Sequence, residues 1–184
     1  MNENRNKRSF NVALCGIIAS LAIVSMFMSG IIPVLMYTMP AISGTLISVI
    51  VIEVNKKWAW STYAAVGILS LFVTPVKDAS LLFILFLGYY PILKSTLEKI
   101  KSKILSWGAK IAIFNAAVII FYQILIRFIS SSEMLEEVNA FGKYGAWILL
   151  GFANIVFVVY DIALTRLISS YYNWFRKKFL RIKK

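Results

Sequence analysis

Apolar residues in this chain come in long unbroken runs. "GIIASLAIVSMFMSGII" and "AAVIIFYQILI" are continuous, whereas a transmembrane barrel strand alternates in polarity over about 10 residues. A helix that crosses a hydrocarbon core about 30 Å thick needs about 20 apolar residues. Six segments fit that template: Asn11–Ser29, Val34–Val54 with Pro40 inside it, Trp58–Thr74, Ala79–Leu93, Gly108–Ile129 and Tyr144–Ser169. The pattern predicts an all-α, polytopic membrane protein, a single six-helix transmembrane domain over residues 1–184. The connector Glu98–Trp107 is lysine-rich and reads as a helix at the membrane surface. In "SSSEMLEEVNAFGK", Ser130 to Lys143, the spacing of Met134, Leu135, Val138 and Phe141 fits a short amphipathic helix. That segment is either a lid over an external pocket or a solvated loop. The first apolar run follows a basic start, "MNENRNKRSF". It is too long for a signal core and reads as a retained helix. No internal repeat supports an inverted-repeat carrier.

Charge fixes the orientation of these spans. The chain carries a net +12, and its cations lie in the gaps and tails between apolar runs. With six spans, 17 of the 20 Lys and Arg residues fall on one side and only Lys77, Arg127 and Lys143 on the other. The positive-inside rule then places both termini in the cytosol. An odd number of spans would put the two basic tails on opposite faces. The same distribution points to lipid headgroups and away from nucleic acid.

Composition narrows the chemistry further. The chain is 60% hydrophobic and 15% charged, with mean hydropathy +0.77, far too apolar for a soluble domain of this size. It has no His, which removes the commonest zinc ligand and the commonest general base at neutral pH. A single cysteine, Cys15, allows no internal disulfide. No Gly-x-Ser-x-Gly, phosphate-binding glycine loop or His-Glu-x-x-His is present. The expectation is a protein that is not an enzyme and uses neither cofactor nor metal.

Polar residues within the spans are the remaining candidates. Asn115 and Tyr122 share one face of the fifth span, and Gln123 and Arg127 a neighbouring face toward the outside. Asn154 and Asp161 share a face of the sixth. Asn115 and Asn154 are either interhelical glue or site residues. Gln123 and Arg127 sit where an external ligand would arrive. The first span carries the small residues Ala13, Gly16, Ala19 and Ser20; the second carries Ala41, Ser43, Gly44 and Ser48, and the third Ala64, Ala65 and Gly67. Such faces serve close packing inside the bundle or docking of a separate membrane subunit.

The layout resembles a known family. "ALCGIIASLAIV" (Ala13 to Val24), "PAISGTLISVIVIE" (Pro40 to Glu53) and "YAAVGILSLFVTPVKDASLLF" (Tyr63 to Phe83) look like the substrate-binding S component of energy-coupling factor transporters, which take up vitamins. In that family an alanine-rich face of the first helix, often Ala-x-x-x-Ala, contacts a transmembrane scaffold subunit. This chain has Ala13, Gly16, Ala19 and Ser20 in its place. The resemblance implies a vitamin-like small molecule bound from outside by Pro33, Tyr37, Lys77, Asp78, Gln123, Arg127 and Trp147. It also implies a scaffold subunit and cytosolic ATPases as partners, in a cell membrane, that of a bacterium. A different reading is a membrane scaffold or assembly protein with no small-molecule ligand.

Depth separates Asp161 from that site. At about 1.5 Å per residue from Tyr144, Asp161 lies roughly 25 Å inward, near the cytosolic edge of the core. It is expected to pair with Lys94, Lys110 or Arg166, or to meet a partner subunit.

Overall fold

In a computed structural model the protein is helical throughout, with no strand among the described residues. The structure describes residues 2–31, 35–124, 127 and 145–175. It divides into two compact units, Met1–Ser130 and Ser131–Lys184. The first unit contains α1 (Asn2–Met28), α2 (Thr38–Glu53), α3 (Lys56–Val73), α4 (Lys77–Leu82), a π-helical stretch (Phe83–Leu87), α5 (Tyr90–Leu97) and α6 (Lys103–Ile124). The second contains α7 (Gly145–Ser170), continued by a π-helical turn, Tyr171–Phe175.

Four helical segments are long and apolar enough to cross a membrane: Arg5–Met28, Lys77–Leu97, Lys103–Ile124 and Trp147–Trp174. The second and third expected spans are shorter. α2 has 16 residues and α3 has 18, opening on Lys56 and Lys57. At 1.5 Å per residue these reach about 24 and 27 Å, less than a core of about 30 Å.

Helix ends differ from expectation for local reasons. Pro40 does not lie inside a long second helix. It occupies the first turn of α2, where a missing N–H costs no hydrogen bond, and it sets a later start. α3 begins two residues early because Asn55 caps it, its side-chain oxygen accepting from Trp58 N–H at 3.1 Å. The connector Glu98–Trp107 is not a separate surface helix. Its second half belongs to α6, whose first turn is tied down by Leu105 N–H donating to Ser102 Oγ at 3.4 Å. The expected amphipathic helix at 130–143 lies outside the described residues.

The fourth span is broken where it was expected to be continuous. Pro91 falls in the first turn of α5. It has no N–H for the Leu87 carbonyl, four residues earlier, and its ring crowds that carbonyl. The chain responds with a π stretch, in which Gly88 N–H donates to Phe83 O at 2.8 Å, five residues back. The displaced Leu87 carbonyl points at Gly44 of α2, where any Cβ would collide with it. Gly44 is thus what allows α2 to cross the π stretch.

The core of the first unit follows from spacing. On α1, Cys15, Ile18, Ala22 and Met26 form one stripe at three- and four-residue steps. They pack with Ile47 and Ile50 of α2, Ala59 and Val66 of α3, Phe83 and Ile92. Buried beside these are hydroxyls: Ser25, Ser29, Ser43, Ser48, Thr62, Ser70, Thr74 and Ser80. Ser29, Ser48, Thr62 and Ser70 donate to carbonyls one turn back, while Ser25 donates to Met39 O at 3.3 Å, Ser43 to Ala22 O at 3.2 Å and Ser80 to Ser70 O at 2.9 Å, joining helices. Exposed positions are instead aliphatic and aromatic, among them Ile17, Leu21, Val24, Ile68 and Phe72. So many exposed large apolar side chains are unlike a soluble protein's surface and are compatible with hydrocarbon surroundings.

In the second unit, α7 presents Ile148, Phe152, Ile155, Val159 and Ile162 outward, while Phe157, Asp161 and Leu164, on one face, are buried.

Candidate functional site

The expected ligand-binding residues begin with Lys77 and Asp78, where α4 opens after the turn "TPVKD". Lys77 is exposed, and its ammonium donates to the carbonyls of Leu71 at 2.7 Å and Thr74 at 3.1 Å. Those carbonyls end α3, so Lys77 closes the orphaned C-terminus of that helix and favours its dipole. Asp78 is half-buried in the first turn of α4, where a carboxylate suits the helix N-terminus. Beneath them lie the Ser80–Ser70 bond and the hydroxyl of Thr74, which is buried with no hydrogen-bond partner.

Four of the other expected contacts fall among the described residues. Tyr37, at the start of α2, is 52% exposed. Gln123, next to the last residue of α6, and Arg127, three residues beyond its end, are exposed, and among the described residues neither bonds to Lys77. Trp147 belongs to the second unit and is exposed. Pro33 lies outside the described residues. Lys77 and Asp78 thus share the opening of α4, beside the end of α3.

Asn115 and Asn154 behave as helix residues. Each side-chain amide donates to the carbonyl four residues back, to Ile111 O at 2.9 Å and to Leu150 O at 2.8 Å. Asp161 is buried in the second unit, and its own carbonyl accepts from Thr165 Oγ1 at 2.9 Å.

The docking candidates on α1 divide. Ala13, Gly16 and Ser20 are exposed on the side away from the core stripe, and among the described residues nothing lies within 4 Å of a Cβ placed on Gly16. Ser20 donates to Gly16 O at 2.9 Å, which hides its hydroxyl and leaves a smooth, shallow face. Ala19 is the exception. It lies one turn after Cys15, at the edge of the core stripe, and packs against the core.

Two groupings were not singled out from sequence. At the junction of α5 and α6, Lys94 and Lys110, both buried, share one carboxylate oxygen of the half-exposed Glu98, at 2.9 and 3.2 Å. The Lys94–Glu98 pair, four residues apart, was a signal that could have been read. Lys110 also lies 5.2 Å from the Trp107 ring centroid, and Lys56 donates to Thr96 Oγ1 at 2.6 Å. The second grouping is aromatic. Trp60 and Tyr63 of α3 meet Tyr89, which lies between the π stretch and α5, and Phe86, Tyr90 and Phe114 extend the cluster inward. Its members come from three separate segments, so no local pattern announces it.

Among the described residues no three His, Cys, Asp or Glu side chains converge as a ligand set. Comparison with known proteins gives no family model, no curated relative and no solved structure that matches this chain.

Proposed function

We propose that this protein is a membrane-embedded capture subunit of an ATP-driven micronutrient importer, similar in plan to the S component of energy-coupling factor transporters. It spans the bilayer six times with both termini in the cytosol, binds a vitamin-like molecule from outside and docks on a transmembrane scaffold served by cytosolic ATPases. It performs no chemistry of its own. The 17-to-3 charge asymmetry supports the orientation. In a six-span arrangement, α2 and α3 cross as short helices, which bilayer thinning or their flanking residues accommodate.

The observation that carries the reading is the two-sided character of α1. One side builds the core, while the other exposes Ala13, Gly16 and Ser20 as a shallow notch. A notch of small residues lets a second helix approach closely, which suits a subunit that must join a partner.

The test is a thermal-shift screen of the purified protein against water-soluble vitamins, paired with uptake by cells expressing wild type or Arg127→Ala. One ligand is expected to raise the unfolding midpoint, with uptake falling in the variant. No shift from any ligand, with unchanged uptake, defeats the capture reading. A second reading is a membrane scaffold without a ligand. It is favoured by the engagement of Lys77 with the end of α3, and it predicts partner binding in the absence of any small molecule.

A further inference from the structure

The aromatic grouping of α3 and the residue before α5 combines one parallel and two perpendicular ring pairs. Trp60 and Tyr89 are parallel to within 11° with centroids 6.4 Å apart. Tyr63 stands at 79° to Trp60 and 80° to Tyr89, at 5.6 and 6.1 Å. The three centroids make a nearly equilateral triangle. A point about 3 Å above its centre lies about 4.5 Å from all three centroids, inside the roughly 6 Å range at which a ring that turns its face to a cation attracts it. The rings are held in place. The Tyr63 hydroxyl donates to Ile84 O at 2.7 Å, and its ring lies so close to Gly88 that a Cβ there would strike it. The cluster is also reachable, with Trp60 41% exposed and Tyr63 and Tyr89 half-buried.

A second observation lies one turn away. Lys57 is exposed and three residues before Trp60, so the two are neighbours on the surface of α3. A lysine beside an aromatic triad offers an anion site next to a cation site, with the Cβ atoms of Lys57 and Trp60 about 5–6 Å apart, one helical turn. That matches a molecule carrying a phosphate and an ammonium group a few bonds apart. Trp and Tyr near a helix end flanked by lysines also sit at headgroup depth in a bilayer.

We infer that Trp60, Tyr63, Tyr89 and Lys57 form a binding site for the headgroup of a zwitterionic phospholipid, the ammonium held by the rings and the phosphate by the lysine. This rests on the membrane residence in the proposed function and is independent of the capture reading. The site selects ammonium-bearing lipid over lipid that offers phosphate alone.

The experiment reconstitutes the full chain in nanodiscs of equimolar phosphatidylethanolamine and phosphatidylglycerol, then counts retained lipids by native mass spectrometry. Wild type is expected to retain phosphatidylethanolamine preferentially. Trp60→Leu lowers that preference about 3- to 5-fold, the loss of one exposed cation–π contact, while Trp60→Phe keeps most of it. Lys57→Gln weakens retention of both lipids. Trp60 and Lys57 are exposed, so these variants fold, which circular dichroism checks. Retention in the supplied ratio, a preference for phosphatidylglycerol, or an unchanged preference in Trp60→Leu overturns the site while leaving the membrane reading intact. Failure to enter the bilayer at all overturns both.

Discussion

Two glycines on neighbouring helices mark opposite faces of the first unit. Gly44 meets the displaced Leu87 carbonyl so closely that no other residue fits, whereas Gly16 has open space where a side chain would go. Both would count equally in a search for small-residue motifs. Their surroundings separate them: Gly44 lets this chain pack on itself, whereas Gly16 has no close neighbour among the described residues. Smallness in a membrane-type helix is therefore informative only once the facing atoms are known.

Four substitutions sharpen that contrast. Gly44→Leu forces α2 away from the π stretch and is expected to cost about 3 kcal/mol or more, read as a collapse of the thermal unfolding midpoint in detergent. A small change there removes the case for an internal crossing. Glu98→Gln withdraws the carboxylate shared by the buried Lys94 and Lys110. It should cost about 2 kcal/mol, measured the same way, because a charged partner is lost to buried groups. Tyr63→Phe strands the Ile84 carbonyl at the edge of the π stretch, and a loss of about 1 kcal/mol is expected. Gly16→Leu lies at the other extreme. Stability should stay within about 0.5 kcal/mol of wild type, while cross-linking to a partner membrane protein falls. An equal loss of stability at Gly16 and Gly44 would erase the distinction between the two faces.

How much of this was legible in the sequence depends on how local the cause is. The helical class follows from unbroken apolar runs, and the end of α1 was placed within a residue at Ser29, against Met28 observed. The break in the fourth span had a visible cause, Pro91 in "GYYP", four residues after Leu87. Its outcome, a π stretch fitted against Gly44, depends on a helix more than 40 residues away in sequence. The sharing of Glu98 by Lys94 and Lys110 is half local and half not, since the first pair lies on one turn and the second spans a chain reversal. The candidate ligand residues rest on a resemblance and on expected depth at the outer ends of the spans. Depth does not distinguish a side chain that faces a ligand from one that, like Lys77, caps a helix.

The π stretch at Phe83–Leu87 can also be seen as a matter of phase. Each residue advances an α-helix by about 100°, so one residue accommodated in a wider turn rotates everything beyond it by that angle relative to an uninterrupted helix. Upstream, Ser80 keeps its bond to α3; downstream, Tyr89, Tyr90 and Lys94 are turned to a new heading. One membrane-length segment thereby addresses different neighbours with its two halves. Loss of a single residue from this stretch could leave a continuous helix of nearly the same length, yet turn its lower half toward the wrong company.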